Sequence, residues 1–195
     1  MSEASGIVQD VQPEAGRDWY ALYTRHHFER SVGTELASMG LQAYVPLRSV
    51  LRQWSDRKKW IEEPLFSCYV FVHVNATERL LSLRPPGVVR MLCTGGQPAR
   101  IPRREIDAVQ RMLMPGYDPV PVPDVVPGDL LEIISGPLVG LHGVLQEIRG
   151  HKRLVITLET IGRSVAVNIE RDRVKKIAAP ATPPGVRHTA PAAGR

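Results

Sequence analysis

Five cationic side chains, Arg48, Arg52, Arg57, Lys58 and Lys59, crowd one short stretch in which Asp56 is the sole acid. Trp54 and Trp60 flank its densest part. Lys and Arg neutralise phosphates and release their counterions, and indole rings stack on unpaired bases. The chemistry on offer is capture of a nucleic-acid strand. The rival reading is a solvated charge run, which most such runs are. The tryptophans favour the first, since an ordinary solvated face does not carry them. Directly downstream, "PLFSCYVFVHV" (64–74) turns almost wholly apolar.

Residues suited to bond-making chemistry do not assemble. His26, His27, His73, His142, His151 and His188 are scattered without metal-ligand spacing. There is no phosphate loop and no Gly-x-Ser-x-Gly elbow. Cys68 reads as a mid-strand thiol among aliphatics, an inert core group, and Cys68 and Cys93 show no pairing pattern. Glu62 and Glu63 read as a solvated loop pair. The expectation is a protein with no catalytic residues, no metal and no cofactor.

The elements that position these residues follow from pattern. At 195 residues with 43% hydrophobic composition, the chain suits one ordinary domain or two small ones. A net charge of +5 favours polyanionic partners. No apolar run is long enough to cross a bilayer, the opening "MSEASGIVQDVQPEAG" is no signal peptide, and two unpaired cysteines suit a reducing compartment. A cytoplasmic monomer is expected, with no membrane contact.

"DWYALYT" (18–24) reads as a strand. Phe28, Val32, Leu36 and Met39 form one helical stripe that Gly40 stops. "LQAYVPLRSVLRQW" is extended, with Pro46 at an edge or bulge. "LFSCYVFVHV", apolar on both alternating faces, predicts a central strand covered on both sides. Asn75 or Thr77 caps a short helix through Leu83, and "GVVRMLCTGGQPARIP" predicts a strand, a Gly-Gly turn and a return. Pro102 opens a helix on which Ile106, Val109 and Leu113 share a face.

The stretch 114–128 holds five prolines, too many for a helix or a sheet ladder, and predicts an extended spacer of about 45 Å. Beyond it, period-two alternation in "RLVITLE" and "SVAVNI" predicts short strands closing into a small barrel. In "SGPLVGLHGVLQEI" (135–148), Gly136, Gly140 and Gly143 permit positive φ and close backbone approach between its first two strands. The expected division is a tail (1–16), an α+β domain (17–114), a linker (115–126), a barrel (127–177) and a disordered Pro/Ala-rich tail (178–195).

Two blocks resemble a known family. "PGDLLEII", "SGPLVGLHGVLQEI" and "IGRSVAVNIERDRVKKI" resemble the SH3-like barrel called KOW, while "DWYALYT", "PLFSCYVFV" and "GVVRMLCTGG" resemble the NusG N-terminal domain. The likeness covers 17–177 in the family's order, and "RQWSDRKKWIEEPLF" resembles the specialised UpxY branch, related to RfaH. It implies an α/β sandwich with an antiparallel sheet flanked by helices, joined to the barrel. It implies a factor that binds the clamp helices of RNA polymerase, suppresses pausing and promotes read-through of a long operon of the surface-polysaccharide type.

Carried onto this chain, polymerase docking falls to Tyr23, Phe66, Tyr69 and Phe71. Rigid aromatics suit interfaces, yet a two-faced strand also buries such residues as core. The basic stretch would meet non-template or upstream DNA through Arg48, Arg52, Trp54, Arg57, Lys58 and Lys59. Leu138, Leu141, Ile161 and Arg163 would face a second partner, a ribosomal protein or Rho. Three departures stand out: Ser67-Cys68 replaces the usual Pro-Gly, the Asn75–Arg79 stretch lacks a Thr-rich loop, and Leu141 and Ile161 replace aromatics. The rival binding class is a ribosome-associated or general RNA-binding KOW protein.

Overall fold

A computed structural model of the chain describes residues 16–54, 57–122, 128–148 and 151–177. The two tails, the tip of the basic stretch and part of the proline-rich spacer lie outside the described residues. The elements run β1 (Asp18–Thr24), α1 (Glu29–Ser38), β2 (Gln42–Tyr44), β3 (Leu47–Gln53), β4 (Lys58–Pro64), β5 (Tyr69–Val74), α2 (Ala76–Leu81), β6 (Val88–Met91), β7 (Cys93–Thr94), β8 (Gln97–Pro98) and α3 (Arg103–Met112). There follow β9 (Val120–Val122), β10 (Leu130–Ile133), β11 (His142–Ile148), β12 (His151–Leu158), β13 (Arg163–Val167) and, after a 3-10 turn, β14 (Val174–Lys176).

The leading sheet has the order β2-β5-β1-β6, antiparallel throughout. Every residue of β5 is buried, as its two-faced apolar pattern predicts. On one face Tyr20, Leu22, Val70 and Val72 pack on Val32 and Leu36 of α1. On the other, Trp19, Ala21, Tyr69 and Phe71 join Ile106, Val109 and Met112 of α3. The α1 stripe is narrower than its spacing predicts. Val32 and Leu36 are fully buried, but Phe28 and Met39, just outside the helix, are exposed.

Local chemistry sets the boundaries. Asn75 accepts from the backbone of Thr77 and Glu78, and Glu78 reaches back to Asn75 N–H, so α2 begins with a complete capping box. Gly95 and Gly96, both at positive φ, make the turn from β7 to β8. Pro46 separates β2 from β3, and β3 pairs with β4 as a hairpin outside the main sheet.

The C-terminal sheet has the order β14-β10-β11-β12-β13-β9, an antiparallel arrangement that fits the expected KOW module. Its edge strand corrects the reading of the spacer. Val120–Val122 pairs with β13, placing Pro121 opposite Val165. An edge strand needs ladder donors on one side only, so it tolerates proline where an interior strand does not. Gly136 and Gly140 take positive φ as expected, but Gly143 works by closeness alone. A Cβ there would meet Val155 O at 2.7 Å, so the close approach is to β12 rather than between β10 and β11.

Leu36 is fully buried between α1 and the leading sheet. Replacing it by Ala should cost about 2–5 kcal/mol through lost transfer energy and a residual cavity, read as a lower urea midpoint at unchanged slope.

Candidate docking face and basic hairpin

The four aromatics assigned to docking form one contiguous group. Antiparallel pairing sets Tyr23 opposite Tyr69 and Ala21 opposite Phe71. The Tyr23 and Tyr69 rings meet edge-on at 5.6 Å, and Phe66 meets Phe71 edge-on at 6.1 Å. Phe66, Tyr69 and Phe71 are buried, while Tyr23 is half-buried. They share the sheet face that carries α3 and the C-terminal sheet.

The two modules meet on that face. The Arg163 guanidinium stands over the Tyr69 ring at 5.4 Å. Arg111 donates to Pro137 O at 3.0 Å, and Thr160 Oγ1 donates to Glu105 Oε1 at 2.9 Å. Leu138 and Ile161 are buried in the same apolar cluster as Tyr69 and Phe66, and Leu141 packs against its margin. In this arrangement the residues expected to face a second partner are turned toward the first module or the barrel core.

Cys68 corrects another expectation. It is not mid-strand but sits in the turn before β5 at φ +67, half-buried, with its N–H donating to Glu29 Oε1 at 2.6 Å. Burial, then the Glu29 charge, raise its thiol pKa against opposing effects from the Tyr23 hydroxyl and Arg163. The buried Glu29 therefore anchors a turn whose usual Pro-Gly is absent. Sequence spacing hides this partnership, since the two residues are 39 positions apart. Cys93 is exposed on β7.

The basic stretch is the β3–β4 hairpin. Its register sets Leu51 opposite Trp60, Gln53 opposite Lys58 and Arg52 opposite Lys59. Successive side chains of a strand point to opposite faces. Lys58 and Trp60 therefore share one face with Leu51, while Lys59 shares the other with Arg48 and Arg52. Trp60 is 67% and Trp54 49% exposed, and Arg57 stacks over Trp54 at 5.7 Å. Glu62 and Glu63 lie on β4 rather than in a loop. Glu62 pairs with Arg30, and Glu63 takes both Arg52 and Arg48, at 2.6 and 3.4 Å. Part of the cationic charge is thus balanced at the base of the hairpin, and the indoles project near its tip.

These features can be set beside known proteins. A family model described as "Transcription termination factor nusG" matches residues 17–110, the span of the leading sheet with α1, α2 and most of α3. The leading part of the chain is similar to the NusG family. The transcription termination/antitermination protein NusG of Pseudomonas aeruginosa is 28% identical over 173 residues, covering 82% of this chain and 98% of that protein. Its counterpart in Xylella fastidiosa strain 9a5c is 26% identical over 182 residues, covering 81% and 98%. A solved structure described as "Domain interaction in Thermotoga maritima NusG" is 26% identical, with a TM-score of 0.53, over 85% of this chain and all of that one. Among the described residues, no helix is long and apolar enough to cross a membrane.

Glu105 offers a test of the contact between modules. Burial raises its carboxyl pKa, and bonds from the Thr160 hydroxyl and backbone only partly offset this. Its Oε2 is buried with no hydrogen-bond partner among the described residues. A carboxyl with a raised folded-state pKa binds more protons folded than unfolded, so its contribution is favourable in acid and is lost as pH rises through that pKa. Glu105→Gln keeps an acceptor for Thr160 without the charge. It should raise the melting temperature near pH 7, with the gain vanishing below the ordinary glutamate range, as scanning calorimetry across pH would record.

Proposed function

We propose that the chain is a transcription elongation and antitermination factor of the specialised UpxY/RfaH-type branch, acting on RNA polymerase without catalysis of its own. The observation that carries this reading is end-to-end likeness. Both modules align, in order, with relatives covered over 94–98% of their length that are named transcription termination/antitermination proteins. The division into a leading domain (17–114) and a KOW barrel (127–177) is part of the proposal, with β9, from the expected linker (115–126), paired to the barrel's sheet.

Tyr23, Phe66, Tyr69 and Phe71 dock the polymerase clamp helices. Rigid rings packed edge-on supply contact area at small entropic cost. Docking on Tyr69 requires Arg163 to lift from its ring, so polymerase and barrel compete for one face. Once released, Leu138, Leu141, Ile161 and Arg163 are open to a ribosomal protein or Rho. The hairpin meets single-stranded non-template or upstream DNA, Trp60 with Lys58 on one face, Arg48, Arg52 and Lys59 on the other, and Trp54 with Arg57 at the turn. The setting is cytoplasmic, and the controlled operon is long, of the surface-polysaccharide type.

In purified transcription, the chain should shorten pauses and raise terminator read-through. Tyr69→Ala, folded by circular dichroism, should weaken polymerase binding by about thirtyfold, the scale of an interface hot spot. Unchanged affinity would overturn the docking assignment. Capture of ribosomal subunits instead of core polymerase would favour the general KOW RNA-binding reading.

Reversing charge at Lys58 and Lys59 should lower DNA crosslinking and flatten the salt dependence of DNA binding, since each lost phosphate contact removes about one unit of slope. Retained crosslinking would assign the hairpin to solvent.

A further inference from the structure

The turn that joins β1 to α1 and the turn that leads into β5 bring three donors together. His26, Glu29 and Cys68 each offer a ligand atom, and these atoms all lie within 4.8 Å of one another. Cys68 Sγ is 3.9 Å from His26 Nδ1. We propose that this cluster binds a divalent transition-metal ion of the zinc class through Cys68 Sγ, His26 Nδ1 and a Glu29 carboxylate oxygen, with the fourth position left to water.

The donor set selects the class of metal. A thiolate, an imidazole and one carboxylate suit borderline-soft zinc or cobalt, whereas calcium and magnesium demand oxygen throughout. The distances are close to what such an ion needs. Metal–sulfur near 2.3 Å and metal–nitrogen near 2.0 Å in a tetrahedron set those two ligands about 3.5 Å apart. Rotation of the exposed His26 ring supplies the remaining adjustment.

Burial is graded in a useful way. Glu29 is 3% exposed, Cys68 is half-buried and His26 is open to solvent. The ion would enter from the His26 side onto ligands already fixed. Glu29 is held by the Cys68 N–H, so one residue supplies the sulfur and also orients the carboxylate. A carboxylate has several lone pairs, and one accepted hydrogen bond does not prevent ligation. The bond from Cys68 N–H to Glu29 accounts for the turn by itself. It does not require a thiol at 68 or an imidazole at 26.

Other groups face the cluster. The Tyr23 hydroxyl and the Arg163 charge, from the C-terminal module, act on the thiol against the stronger effects of burial and Glu29. The His27 ring lies 3.8 Å from that of His26 and is the natural control for nonspecific histidine binding. Cys93, exposed on β7, is the corresponding control for thiols.

The test is titration of the untagged full chain with Co²⁺ alone under reducing conditions, followed by absorption and by competition with Zn²⁺. One equivalent should develop a thiolate-to-cobalt charge-transfer band that zinc removes. Cys68→Ser should abolish the band, and Cys93→Ser and His27→Ala should leave it. His26→Ala changes an exposed side chain, keeps the Glu29 bond to Cys68, and should weaken binding by about tenfold or more. Absence of the band in the parent chain, or its survival in Cys68→Ser, overturns the site. Unchanged affinity in His26→Ala removes the imidazole from the ligand set and with it the proposal.

Discussion

Burial of β5 on both faces is the constraint from which the rest of the molecule follows. A strand with no face toward water needs cover on two sides, and the chain supplies α1 on one and α3 with the C-terminal sheet on the other. The alternation within β5 then decides which residues serve which side. Val70 and Val72 go to the α1 core, while Tyr69 and Phe71 go to the side shared by both modules. A one-residue slip would exchange the two sets, so the pairing of β1 with β5 also fixes where the aromatic group lies.

The aromatic face shows why core and interface readings of the same residues need not conflict. Tyr69 is buried, yet one of its covers is the guanidinium of Arg163, from the module that follows the proline-rich crossing. The modules share the apolar cluster that holds Phe66, Tyr69, Leu138 and Ile161, with polar bonds at its margins from Arg111 to Pro137 O and from Thr160 to Glu105. A side chain can thus be interior in one arrangement and contact surface in another.

Much of the architecture was legible because local signals agreed. The two-faced β5, the Asn75 cap, the Gly95-Gly96 turn and the alternation in β12 and β13 each follow from one short pattern. The misses share a different origin. The strand at Val120–Val122 depends on a partner edge offered by β13, which no local proline count reveals. Cys68 lies in a turn because distant Glu29 holds its N–H. The basic stretch reads as one cationic run, and only the hairpin register shows that Lys58 and Lys59 face opposite ways. Long-range pairing decided all three.

The stitching of β9 onto β13 changes what the crossing between the modules can be. Asn168 N–H bonds Tyr117 O and Arg153 bonds Asp118 O, so the chain is already fastened to the C-terminal sheet before β9 begins. The slack left after α3 is little more than Pro115 and Gly116, the latter at φ +96. What looks in one dimension like a long leash is mechanically a short swivel, and the volume the trailing module can sweep while searching for a partner shrinks to match.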